Sequence, residues 1–167
     1  MGNFGTTTLQ PQSPTQTKDA NLEIAKSLFA QRAKKSGSWF YWIAGLSALN
    51  SVIVLAGSDR HFLVGLGITE ILDVVGRRLG GAGSAVAMVF GLAIAAVFGV
   101  FGYFACKTRL WAFVVGMVLY ALDGLLLMSF ADYFSVAFHA LVLYFLFSGA
   151  VATRKWSALK PANAPLG

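Results

Sequence analysis

Four apolar runs, at about residues 39–57, 85–106, 110–131 and 133–153, constrain this chain more than any other feature. The hydrocarbon of a bilayer is about 30 Å thick and a helix rises about 1.5 Å per residue, so roughly 20 apolar residues cross it. All four runs have close to that length. Of the 167 residues, 57 % are hydrophobic and 12 % charged, whereas a soluble domain averages about 25 % charged. Backbone groups in lipid must bond within the chain, which leaves helices or closed barrels. The expected fold is therefore an all-α membrane protein, an antiparallel bundle of four transmembrane helices. Only Lys107-Thr108-Arg109 joins the second run to the third, and Asp132 marks the turn between the third and fourth. Links this short make antiparallel hairpins.

The flanks divide the chain into residues 1–37, 38–155 and 156–167. The first is expected to be a cytoplasmic tail and amphipathic helix, the second the transmembrane domain, the third a cytoplasmic tail. Residues 1–18 are polar and read as disordered. From residue 19 to 35 a basic amphipathic helix is expected, with Asp19 as its N-cap and Leu22, Ala25, Leu28, Phe29 and Ala33 on one face. Lys26, Arg32, Lys34 and Lys35 are then free to meet lipid headgroups. Ser36-Gly37-Ser38 breaks this helix before the aromatic border of Trp39, Tyr41 and Trp42. The first apolar run begins only near Trp39, so no cleavable signal peptide is expected.

Residues 59–79 are long enough to span but carry Glu70 and Asp73 at their centre and Arg77 and Arg78 near their end. One central Asp costs about 2.5–3.5 kcal/mol on insertion scales. Ile68, Leu72, Val75 and Leu79 form one stripe and Glu70, Asp73 and Arg77 another, with Asp73 and Arg77 spaced to pair. This predicts an outer surface amphipathic helix, lying on or dipping into the membrane, with Glu70 and Asp73 in a possible lid. Positive-inside counting agrees. With four spans and both termini cytoplasmic, ten of the 13 basic residues are inside, and only Arg60, Arg77 and Arg78 are outside. The expected location is a membrane, which the chain crosses several times with both termini cytoplasmic.

Three polar residues interrupt the runs at one depth. Asn50, Asp123 and His139 each stand about eight residues from the outer end of their run, hence about 12 Å inside the hydrocarbon. Ionisable groups there are costly, and they make these three the candidate ligand- or proton-binding residues. Asp123 and His139 flank one hairpin symmetrically and should face each other, with Asp132, Ser135 and His139 forming a polar stripe inward. Such a pair could take up a proton, hold an ion or grip a polar headgroup. The simpler reading is an Asp–His–Asn hydrogen-bond clamp that sets how the spans pack.

Other chemistry finds little support. No His-x-x-x-His, Glu-x-x-His or Cys pair is present, so no metal site and no cofactor are expected. Glu70 and Asp73 read as a solvated face rather than a catalytic carboxylate pair. Gly65-Leu66-Gly67 lacks the third glycine of a dinucleotide fingerprint, and no serine has a Gly-x-Ser-x-Gly context. The basic excess lies at run borders rather than on a soluble face, which excludes nucleic acid. Cys106 is the single cysteine, expected reduced and inert at the cytoplasmic border. Gly91, Ala95 and Gly99 form a small-residue face suited to bundle packing, to self-association or to docking on a larger membrane complex. Phe98, Phe101 and Phe104 are expected to face lipid.

The segments from Phe40 to Ser51 (FYWIAGLSALNS), Val64 to Thr69 (VGLGIT) and Leu119 to Gly124 (LYALDG) resemble uncharacterised bacterial four-span integral membrane proteins. Val136-Ala137-Phe138-His139 departs from that pattern at its small residue. The resemblance covers most of residues 38–155 and implies a four-span membrane protein with no assigned activity. The function expected is that of a non-enzymatic accessory or interaction subunit. A small oligomeric transporter or proton-coupled carrier using Asp123 and His139 is the alternative, with a lipid- or quinone-acting enzyme third.

Overall fold

The computed structural model describes residues 14–55, 66–129 and 133–159. Among them there are helices and turns but no strand. In chain order the helices are α1 (Pro14–Gly37), α2 (Trp39–Leu55), α3 (Gly67–Arg78), α4 (Gly81–Cys106), α5 (Leu110–Met128) and α6 (Tyr133–Ala158). Three of them, α4, α5 and α6, are long and apolar enough to cross a membrane. Only 33–39 % of their apolar windows is buried inside the chain. The outer faces carry Val89, Phe90, Val118, Leu122, Tyr144 and Phe147, all more than half exposed. Soluble proteins rarely expose apolar surface on this scale, whereas lipid covers it without cost.

Side-chain neighbours fix the helix directions. On α2 and α4, Tyr41 lies against Gly102 and Ser51 against Gly91. On α5 and α6, Phe113 meets Gly149 and Asp123 meets His139. Both pairs are therefore antiparallel, the second of them as expected for a hairpin with a short link. The core between them is aromatic. Phe40 is fully buried, and its ring lies 6.1–6.4 Å from those of Phe98, Phe101 and Phe113. It fits because Gly116 leaves room: a Cβ there would stand 2.5 Å from the Phe40 ring. Phe98 and Phe101 were expected toward lipid and instead face inward, 4 % and 7 % exposed, with Phe104 packed against the same cluster. The correction follows from α2, whose Phe40 draws these rings into offset and edge contacts worth about 0.5–1.5 kcal/mol beyond burial.

The small-residue face is also taken up internally. Gly91 and Ala95 are buried, Gly91 so tightly that a Cβ would lie 2.8 Å from Ser51 Oγ. Both therefore serve packing within the chain. Gly99 points elsewhere and meets nothing within 4 Å. Gly99→Ala should therefore raise stability in detergent by about 0.5–1 kcal/mol, by removing backbone freedom from a helix interior. A fall in the melting temperature would show that a second copy or partner occupies that face.

Helix α1 differs from its expected form at both ends. It is helical from Pro14, so Asp19 lies within the helix instead of capping it. The fixed φ of proline suits a first helical turn. At Ser36-Gly37-Ser38 the backbone does not break. Ser38 N–H donates to Lys34 O at 3.1 Å, and Ser38 O accepts from Trp42 N–H at 3.3 Å. The interruption is a single turn residue, Ser38, whose Oγ donates to Lys35 O. Ala33, Ser36 and Gly37 pack against α4 and α6, while Leu22 and Leu28 are 38 % and 59 % exposed. The inward face of α1 is thus its small-residue side, because Gly37 and Gly149 let backbones approach where leucines could not. Cys106 is a free thiol there, with Sγ 3.5 Å from Lys34 O.

Candidate functional site

The site begins with a helix that cannot cap itself. Helix α3 starts at Gly67 behind Leu66, whose side chain accepts no hydrogen bond. The first turn of any helix exposes N–H groups that need acceptors, and in a buried setting each one left bare costs about 1–3 kcal/mol. Here other helices supply them. Gly67 N–H donates to Asp123 Oδ2 at 2.8 Å and Ile68 N–H to Asp123 Oδ1 at 2.9 Å. Leu66 N–H donates to Ser47 Oγ of α2 at 3.0 Å, and Thr69 N–H closes back onto Leu66 O at 3.1 Å. The Asp123 carboxylate thus straddles the end of α3, where the helix dipole presents partial positive charge.

Helix α3 does not lie across the end of the bundle. It runs antiparallel along the first half of α4, with Thr69 beside Gly91 and Gly76 crossing Gly83 and Ala87. Its start is therefore level with Asp123, inside the bundle, and its end reaches the turn at Leu79-Gly80. Leu66 and Thr69 are essentially inaccessible. The side chains of Glu70 and Asp73 lie outside the described residues, as do His61 and Asp132.

His139 completes the carboxylate's partners. Its Nε2 lies 3.0 Å from Asp123 Oδ2, and its Nδ1 lies 2.8 Å from Ser135 O. A carbonyl only accepts, so Nδ1 carries a hydrogen and donates to Ser135 O. Nε2 and Oδ2 would repel as two lone pairs, so they hold one proton between them. Whichever atom carries it, the pair is neutral as a unit. That is the form in which an apolar interior tolerates an Asp and a His. Tyr120 covers the imidazole, stacked at 4.2 Å between centroids and 13° between planes. Gly124 allows the approach, since a Cβ there would stand 3.2 Å from His139 Cβ.

Asp123 and His139 are 7 % and 2 % exposed. Asn50 is buried at 2 %, one helical turn beyond Ser47 on α2. The structure thus joins Asp123 to His139 as their symmetric positions about the hairpin implied, and places Asn50 in the same interior. What the sequence reading missed is that the carboxylate's main partners are backbone N–H groups of Gly67 and Ile68. A signal existed: an amphipathic helix whose start offers Leu66 and Gly67, with no Ser, Asp or Asn to cap it.

A cleft among the described residues reaches this layer. It has a volume of about 410 Å³ and lies between α3, α4 and α5, with Ile68, Ile94, Val97, Leu122 and Asp123 among its walls. Among the described residues Asp123 is its only ionisable wall residue. Among the described residues, no group of three or more His, Cys, Asp or Glu side chains could hold a metal ion. Comparison with known proteins finds no matching family, no matching curated protein and no matching solved structure.

Proposed function

We propose that the chain is a four-span protein of the bacterial inner membrane, acting without catalysis as an accessory or interaction subunit. In this reading Asp123 and His139 form its internal clamp. The observation that supports the clamp is the bonding of the carboxylate: two backbone N–H groups and one imidazole engage it, with both side chains buried. An anion so engaged has little capacity left for a transported ligand.

Helix α2 serves as the fourth span. Its 17 described residues would reach about 26 Å at 1.5 Å each, and Ser47 and Phe40 lock it to the other three. Both termini are then cytoplasmic, and α3 is a re-entrant half-helix whose start lies within the hydrocarbon. Irregular backbone survives at such depth only where protein satisfies it, which is what Ser47 and Asp123 do. The resemblance to bacterial four-span proteins points the same way.

The carrier reading is favoured by one observation, the cleft that ends on Asp123. Transporters do aim half-helix N-termini at anionic substrates, but here the chain's own carboxylate takes that place. Proteoliposomes loaded with a pH-sensitive dye test the choice. The expected result is proton leakage no faster than in empty vesicles, at any pH between 5 and 8. Leakage that the protein accelerates and Asp123→Asn abolishes would establish the carrier instead.

A further inference from the structure

A second site, remote from Asp123, lies where α1 packs on the end of α6. Phe29, Arg32, Phe147, Ser148, Val151 and Lys155 line a groove of about 260 Å³. The helices run antiparallel here, so Arg32 of α1 reaches Ser148 and Lys155 of α6 reaches Phe29. Arg32 Nε donates to Ser148 Oγ at 3.0 Å, and Lys155 Nζ lies 5.7 Å from the centre of the Phe29 ring. The Ser148 contact aims the planar guanidinium while leaving its other N–H groups free to donate. Among the described residues no carboxylate lines the groove.

The lining is mixed. Phe147 is 62 % exposed and Val151 38 %, both on the apolar outer face of α6. Lys155 follows one turn beyond Val151, and Arg32 bonds Ser148 beside Phe147, so the two cations bracket these apolar residues. Two cations and a hydroxyl beside an apolar wall complement a phosphate attached to acyl chains, and basic pockets between helices at this level bind anionic headgroups. We infer that this groove holds one anionic phospholipid, its phosphate between Arg32 and Lys155 and its chains along Phe147 and Val151. A soluble phosphate would use the cations but not the apolar wall. The inference is independent of the clamp at Asp123.

Native mass spectrometry of the full chain in mild detergent tests this, with dioleoyl phosphatidylglycerol and dioleoyl phosphatidylcholine as the competing probes. The expected result is one retained phosphatidylglycerol in preference to phosphatidylcholine. Arg32→Gln with Lys155→Gln should reduce that preference about tenfold or more, at about 1 kcal/mol per basic residue. Arg154→Gln, which removes an exposed charge outside the groove, should leave it unchanged. An unchanged preference in the double variant would overturn the site, and displacement by millimolar glycerol phosphate would overturn the lipid as its occupant. Should the double variant fail to fold, Val151→Trp keeps both cations while filling the groove. It should expel the lipid, and retention would again overturn the inference.

Discussion

Replacing Asp123 by Ala should lower the melting temperature in detergent by about 10 °C or more. The substitution leaves Gly67 N–H and Ile68 N–H without their acceptor and the buried His139 imidazole without its Asp123 partner. Breaking a buried pair in this way costs about 3–5 kcal/mol, and each kcal/mol corresponds to about 2–4 °C in a chain of this size. Asp123→Asn should cost less, because its carbonyl oxygen still accepts one backbone N–H while its amide nitrogen faces the other. Combining Asp123→Asn with His139→Ala should cost less than the two separately, since both act on one bonded unit. Hydrogen exchange supplies the local check. The amides of Gly67 and Ile68 should lose protection in Asp123→Ala before those of α4 do. Unaltered protection, together with an unaltered melting temperature, would mean that Asp123 is not the cap.

Gly76→Val should have the next largest effect, by prising α3 from α4. A Cβ on Gly76 would lie 2.6 Å from Ala87 Cβ and 2.8 Å from Gly83 O. Neither is the end of a flexible side chain, so the helices themselves must part. Overpacking of this kind costs about 1–3 kcal/mol, and here it would also pull the start of α3 away from Asp123. Thr69, inaccessible in the native fold, reports the displacement. With Cys106→Ser and Thr69→Cys as background, a maleimide should label position 69 slowly in intact membranes and several times faster once Gly76→Val is added. Equal labelling rates would show that α3 is held by something other than the glycine crossing.

The two effects differ in how far the sequence foretold them. That Asp123 and His139 would meet was legible, because a hairpin with a short turn places residues equally far from that turn at one level. Burial of Phe98 and Phe101 was not legible. A helix that is apolar on every side has no periodic contrast to separate its lipid face from its packed face, and only the Gly116 recess with Phe40 in it makes the distinction. The same ambiguity hid Gly91 and Ala95, whose small side chains suit a neighbour in the chain as well as one outside it. Helix α3 was recognisable as amphipathic from Ile68, Leu72, Val75 and Leu79. Its orientation was not: Ile68, Val75 and Leu79 are exposed, Thr69 and Gly76 are the residues packed against α4, and a hydrophobic stripe says nothing about which end goes deep.

Sequence alone determined the class of fold, because apolar runs of membrane-spanning length leave the backbone little choice but helices. It also determined the hairpin register of α5 and α6, through the length of their link. Tertiary structure decided the meaning of the polar layer. A carboxylate's role depends on which donors surround it, and two of those donors belong to backbone groups that no side-chain pattern announces. Asp123 reads as an anomaly along the chain and as a helix cap in three dimensions, because the N–H groups it satisfies lie 55 and 56 positions away in sequence.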